Sequence, residues 1–334
     1  MGTGNEVKRD KCRKRIKASE LAPLKLDRIS TSSLKDRVST VEATDFGSPH
    51  QPGGSFRSFL EGLPRILAAG DLCMVAEAVV KACRNGKPVI LGMGAHPIKV
   101  GLTPVIIDLM ERGLLGALAL NGACMIHDFE LASIGRTSED VGALIQKGAY
   151  GMARETSQFI NRAISDGVRC GHGLGRALGE SMTKADLRYS HLSLLVRAFQ
   201  MDIPVTIHVA VGTDIIHMHP EADGASIGEG SLRDFHFFAA LVSRLEEGVF
   251  INLGSAVIMP EVFIKALSLA RNLGFPIRNV TTVNLDFIQH YRPMTNVVSR
   301  PTQWGGAGYA ITGHHEIIFP LLAAAVIEKI DGGK

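Results

Sequence analysis

Apolar positions along the chain follow two alternating rhythms. Short apolar runs occur at Pro88–Leu91, Leu115–Leu120, Ile203–Val211, Val249–Asn252 and Val280–Val283. In the third run Ile203, Val205, Ile207, Val209 and Val211 share one face, the period of two expected of an extended strand. Between the runs, apolar residues recur every three to four positions. That spacing predicts helices near 56–69, 73–85, 102–113, 139–165, 184–200, 231–246, 261–273 and 316–330. The helix near 139–165 is predicted to break at Gly148 or Gly151. Strands separated by helices need right-handed crossovers, which predicts an α/β fold, a Rossmann-like parallel sheet flanked by helices in a single large domain. Before about residue 55 neither rhythm holds. Ser30, Thr31, Ser32 and Ser33, and then Ser48-Pro49-His50-Gln51-Pro52-Gly53-Gly54, read as loops. The expected organisation is a polar, partly disordered N-terminal arm over 1–55 and an α/β domain over 56–334.

Polar chemistry concentrates where the strands end. Gly92-Met93-Gly94-Ala95-His96 follows the first strand, and Asn121-Gly122-Ala123 with His127-Asp128 follows the second. The third leads to Gly212-Thr213-Asp214, His217 and His219, and the fourth to Asn252-Leu253-Gly254-Ser255. The fifth leads to Asn284-Leu285-Asp286 and His290-Tyr291-Arg292, and Thr312-Gly313-His314-His315-Glu316 precedes the last helix. Seven of the twelve histidines (96, 127, 217, 219, 290, 314 and 315) fall in these segments. In a parallel sheet all such segments emerge at the carboxyl edge, where ligands bind. Glycines there let backbone N–H groups approach a ligand, and helix N-termini favour anions. The convergence predicts a small-molecule site. His208 within a strand, His172 in a glycine-rich turn and His191 in a helical stretch read as structural. Gly92-x-Gly94 is too short for a dinucleotide fingerprint, and Gly171-x-Gly173-x-Gly175 follows no strand.

Composition narrows the class further. With 46% hydrophobic and 21% charged residues over 334 positions, the chain can bury a large core, which excludes a disordered or fibrous protein. Five cysteines, an odd number with no CxxC pair, argue against a disulfide framework and for reduced thiols in the cytoplasm. No apolar run approaches the roughly 18 residues of a membrane span, so no membrane partner is expected. The net charge of +3 hides an asymmetry: residues 8–17 carry seven cations against Asp10, net +6, and leave −3 for the rest. A basic tail on a nearly neutral body argues against a nucleic-acid partner, which needs clustered cations on the folded surface.

From about residue 56 to 329 the sequence resembles the deoxyhypusine synthase family, in its bacterial deoxyhypusine synthase-like branch. The match is carried by Gly101-Leu102-Thr103-Pro104, Asn121-Gly122-Ala123, Ile126-His127-Asp128, Gly212-Thr213-Asp214, Asn252-Leu253-Gly254-Ser255-Ala256-Val257, Pro260-Glu261-Val262-Phe263, Trp304-Gly305 and Phe319-Pro320-Leu321-Leu322. The resemblance implies a Rossmann-like fold, a homotetramer with sites between paired subunits, bound NAD, and transfer of an aminobutyl group from spermidine through an imine on an enzyme lysine. It also implies a role for an N-terminal arm that covers the site. For the cofactor it implies Gly94, Asn121, Gly122, Asp214, Gly254, Ser255, Asn284, Asp286 and His314, with Asp214 on ribose hydroxyls, Gly254 and Ser255 near phosphates, and His314 where the family has an aspartate.

The departures redirect the chemistry. The family's nucleophilic lysine follows a Trp-Gly pair, and here Trp304-Gly305 is followed by Gly306. Without that amine no imine forms there. Pro293, Arg300 and His219 stand where acids should hold a polyamine, so spermidine is disfavoured and true deoxyhypusine synthase activity is not expected. The first reading is an NAD-dependent, deoxyhypusine synthase-like enzyme acting on a small amine- or carboxylate-bearing substrate. In it His290 and His127 move protons, Arg292 and Arg300 clamp a carboxylate, His219 and Trp304 line the substrate, and Lys99 (or Lys265) replaces the amine. The alternative is a metal-dependent hydrolase or lyase, with His217-x-His219 extended so that both rings point one way and His314, His315 and Glu316 adding ligands. A catalytically silent scaffold is the third.

Overall fold

The computed structural model describes residues 16–332. The chain divides into two units, Met1–Ala43 and Thr44–Lys334. Within the first, residues 16–43 hold two 3-10 turns, Ala18–Glu20 and Leu34–Asp36, and neither buries a residue. All the cations of the basic tail except Lys17 lie outside the described residues.

The second unit is built on six strands: β1 Val89–Met93, β2 Ala117–Asn121, β3 Val205–His208, β4 Val249–Leu253, β5 Thr281–Asp286 and β6 Ala307–Thr312. Every pairing is parallel and the order is β3-β2-β1-β4-β5-β6. This is the doubly wound Rossmann-like arrangement anticipated from the pattern. Its central strands are buried on both faces, which is why they read as continuous apolar runs. Alternation assigns neighbours to opposite sides. Leu91 and Met93 join the core on one face, while Ile90 joins Phe238, Phe250 and Phe263 on the other. Phe250 stacks on Phe263 with centroids 3.8 Å apart. Gly92 makes room for this, because a Cβ there would sit 2.7 Å from Phe250.

Several elements differ from the sequence pattern. β3 stops at His208 because the chain then peels away, the Val209 N–H donating to Ser231 Oγ at 3.1 Å. β6 carries no apolar run; it is a half-exposed edge strand, Ala-Gly-Tyr-Ala-Ile-Thr, with Ile311 as its buried residue. The segment after β2 is not a loop but the helix Gly122–Ile134. Asn121 caps it by accepting the Cys124 N–H at 3.2 Å, and Gly135 ends it at φ 69°. The glycine-rich stretch near 173 forms the helix Leu174–Lys184, in which Gly175 packs so tightly on β3 that a Cβ would meet the Val205 carbonyl oxygen at 2.0 Å. The anticipated break near 148–151 separates Val141–Ile145 from Arg154–Arg169. Among the described residues no helix is long and apolar enough to cross a membrane.

Candidate functional site

Because all six strands run the same way, their carboxyl ends form one rim. The rim carries Gly94, His96 and Lys99 after β1, Asn121, Gly122 and His127 after β2, and Asp214 and His217 after β3. Gly254 and Ser255 follow β4, Asp286 and His290 follow β5, and His314, His315 and Glu316 follow β6. The strand order reverses between β1 and β4, which places the topological switch point at the Gly94 and Gly254 loops.

The glycines at this point pack loop against loop. The Gly94 N–H donates to the Leu253 carbonyl at 3.1 Å, and a Cβ on Gly94 would lie 2.6 Å from the Gly254 carbonyl oxygen. Gly254, at φ 66°, donates to the Leu285 carbonyl at 3.0 Å, and its open side is filled by the His315 ring 2.6 Å from where a Cβ would stand. Both N–H groups are therefore committed to backbone carbonyls. His315, 1% exposed, begins the helix His315–Asp331 and lies 3.5 Å from the Asp286 carboxylate. Neither of its ring nitrogens has a hydrogen-bond partner. His96 meets its edge at 5.2 Å between centroids, and exposed His314 lies parallel to Phe287 at 6.1 Å. Beneath them Asn252 donates to Asn284 Oδ1 at 2.7 Å and to the Ser255 carbonyl at 2.9 Å, bracing the two loops. Ser255 Oγ accepts the Met259 N–H at 3.1 Å.

On the other side of the switch point, Asp214 lies over the start of the helix Gly122–Ile134. A Cβ on Gly122 would fall 2.0 Å from Asp214 Oδ2, so only glycine fits beneath the carboxylate. His217 turns back and its Nδ1 accepts the Gly212 and Asp214 N–H groups at 3.1 and 3.3 Å. Asp214 Oδ2 and His217 Nε2 are buried and have no partner. Burial raises the Asp214 carboxyl to a pKa of about 6. A buried polar atom without a partner is uncommon in a folded protein and calls for an explanation.

One turn along the same helix, His127 Nδ1 lies 2.6 Å from Thr137 Oγ1, which donates to Glu130 Oε2 at 2.5 Å. The other oxygen of Glu130 accepts from Thr156 at 3.2 Å. Burial, helped by the Lys99 cation, lowers the His127 ring to a pKa of about 4, so it is neutral at pH 7. Lys99 is exposed and, among the described residues, has no ion-pair partner.

Other expected residues are not brought together. His219 Nε2 is spent on the Gly151 carbonyl at 2.8 Å, and His217 sits in the 3-10 turn Ile215–Met218 rather than an extended segment. The two rings therefore bond in different directions. Among the described residues no group of three or more His, Cys, Asp or Glu is placed to hold a metal ion, so His217, His219, His314, His315 and Glu316 do not form the alternative centre. Arg292 pairs with Glu261 at 3.5 Å and Arg300 donates to Asn296 at 2.8 Å. The two arginines stand toward opposite ends of the run 291–302, which is α, π and 3-10 in turn, and each is engaged by a different neighbouring side chain. Trp304 precedes β6, so it belongs to the opposite, amino edge; it is 71% exposed with Arg271 over its ring at 5.3 Å. Gly306 stands there too, at φ 79°, with the Val280 carbonyl oxygen 2.1 Å from where a Cβ would lie. Exposed His290 caps the short turn Tyr291–Pro293 without using its side chain. Lys265 is held by Glu261.

Three residues escaped the sequence reading: Glu130, Thr137 and Phe287. Glu130 was findable, because i and i+3 share a helix face and His127 was already singled out. Thr137, beyond a glycine stop, carried no such signal.

No family model and no curated protein matches the chain. Solved structures match it in fold. A protein assigned to the LOR/SDH group from Methanococcus maripaludis S2 aligns over 79% of this chain and 71% of its own, with TM-score 0.51 and 15% identity. A ternary complex of AgrE with ornithine and NAD+ aligns over 78% of this chain with TM-score 0.50 and 15% identity; this chain spans 33% of that protein's length. A protein assigned as a deoxyhypusine synthase from Entamoeba histolytica aligns over 84% of this chain and 95% of its own, with TM-score 0.50 and 12% identity. Identities this low establish a shared fold.

Proposed function

We propose that this chain is an NAD-dependent enzyme on the deoxyhypusine synthase-like scaffold, acting on a small amine or amino-acid-like substrate and distinct from deoxyhypusine synthase itself. The observation that carries the reading is Asp214. Its Oδ2 is buried, acceptor-only when ionised, unpartnered, and placed on the carboxyl rim over a helix start. Vicinal ribose hydroxyls are donors that would satisfy it. NAD supplies hydride exchange when bound, and a ligand there would lie along Asp214, Asn121 and Gly122. The roles implied for Gly94 and Gly254 reduce to holding the loops together.

The proton-moving group in this reading is His127, neutral at pH 7 and on the helix whose first residue, Gly122, packs against Asp214. Lys99, which acts on His127 and has no ion-pair partner among the described residues, suits the carboxylate of an amino-acid-like substrate. The fold shared with an enzyme crystallised with ornithine and NAD+ supports the substrate class. Isothermal calorimetry tests the cofactor. Asp214→Ala is expected to weaken NAD binding roughly 10- to 100-fold, the worth of one or two hydrogen bonds to a charged group. Unchanged affinity, or no NAD binding by the intact protein, refutes the assignment.

A further inference from the structure

The chain of contacts behind His127 fixes which ring nitrogen carries the proton. Thr137 Oγ1 has a single proton, and an ionised carboxylate has none to give. The contact of 2.5 Å to Glu130 Oε2 therefore consumes the hydroxyl proton. Thr137 is left as an acceptor toward His127 Nδ1 at 2.6 Å, so the ring must donate from that nitrogen. Among the described residues Nε2 has no hydrogen-bond partner, and it keeps its lone pair.

We propose that Thr137 and Glu130 are positioning residues that hold His127 as the Nδ1–H tautomer, with Nε2 presented as the proton acceptor. The proposal rests on the reading of His127 as the group that moves protons at this rim. In the step it serves, an N–H or O–H of the substrate breaks, its proton bonds to Nε2, and the electron pair stays on the substrate. The resulting imidazolium keeps its Nδ1–H bond to Thr137, and reversal returns the proton. Thr156, 5% exposed, donates at 3.2 Å to the second Glu130 oxygen and keeps the carboxylate from rotating away. Neither Thr137 nor Glu130 needs to touch the substrate.

The test reads the tautomer directly and needs no substrate. Histidine-labelled full-length protein is examined at neutral pH by two-bond 1H–15N NMR, with the His127 signals assigned by their loss in His127→Gln. The expected wild-type pattern is a protonated Nδ1 and an unprotonated Nε2. In Thr137→Val the ring loses its acceptor at Nδ1 and the pattern is expected to invert to Nε2–H, where water accepts; Thr137→Ser restores the original pattern. A wild-type ring found as Nε2–H overturns the proposal without recourse to any variant. So does a folded Thr137→Val protein whose pattern is unchanged. The outcome is separable from the cofactor assignment, since the tautomer can be as stated in a protein that fails to bind NAD.

Discussion

At Gly306 a single backbone conformation decides what chemistry is open to the chain. The amine missing after Trp304-Gly305 reads in the sequence as a lost nucleophile. The structure adds that no side chain fits there, since φ is positive and the Val280 carbonyl occupies the Cβ position. Gly306→Lys is therefore expected to lower stability by about 2–4 kcal/mol, through strain and overlap together, and to leave spermidine uncleaved. Urea unfolding measures the first and a polyamine-cleavage assay the second; a variant as stable as wild type contradicts the backbone account. His208 shows the opposite outcome. Read as a structural residue inside a strand, it lies buried, bonded to Thr206 Oγ1 at 3.0 Å and edge-on to Phe238. Its burial lowers the ring to a pKa of about 3, so it is neutral at pH 7.

Among the elements, legibility followed hydrophobic contrast. β1 and β4 are buried on every residue and stood out as apolar runs. β6 and the helices Gly122–Ile134 and Leu174–Lys184 were hidden: β6 is half exposed, and in the helices glycine, alanine and polar residues interrupt the apolar rhythm even though Met125, Phe129, Leu178 and Met182 are buried. The same stretch conceals an anchor. Asp234, from the helix Gly224–Val242, accepts the Gly175 N–H at 2.9 Å and the Ile207 N–H at 2.7 Å, tying a second helix and β3 to its own. Burial raises its carboxyl to a pKa of about 7 against an ordinary 3.8. Between those values the folded state binds more protons than the unfolded one, so this group lowers stability as pH rises through the window. Wild type is expected to lose stability relative to Asp234→Asn between about pH 4 and pH 7 in denaturant titrations. A difference that is flat with pH refutes the shift.

For the whole molecule, the sheet direction was the decisive legible feature. It follows from strands alternating with helices, and it alone predicted that six polar segments share a rim. Trp304 entered through the resemblance, and its place before a strand stayed hidden because β6 carries no apolar run. Cavities of about 580 and 630 Å3 lie away from the rim, the second at the amino end of β3. The rim itself is open, and it exposes Phe287 (47%), Ile288 (51%), Tyr291 (73%) and Ile317 (63%). Exposed apolar residues around polar chemistry are one mark of an interaction surface. We propose that a second copy covers it, the homotetramer being the assembly that the family resemblance implies. Light scattering is expected to give four times the 35.9 kDa chain mass, and Tyr291→Asp to reduce it; a wild-type mass of one chain rejects the assembly.

The interlocking of Gly94, Gly254 and His315 has a mechanical corollary. The Gly254 carbonyl fills the hollow beside Gly94 and the His315 ring fills the one beside Gly254, like tumblers in a lock. Whatever enters at the centre of the sheet therefore meets the first residue of the helix His315–Asp331, so the seventeen-residue element begins at the keyhole itself.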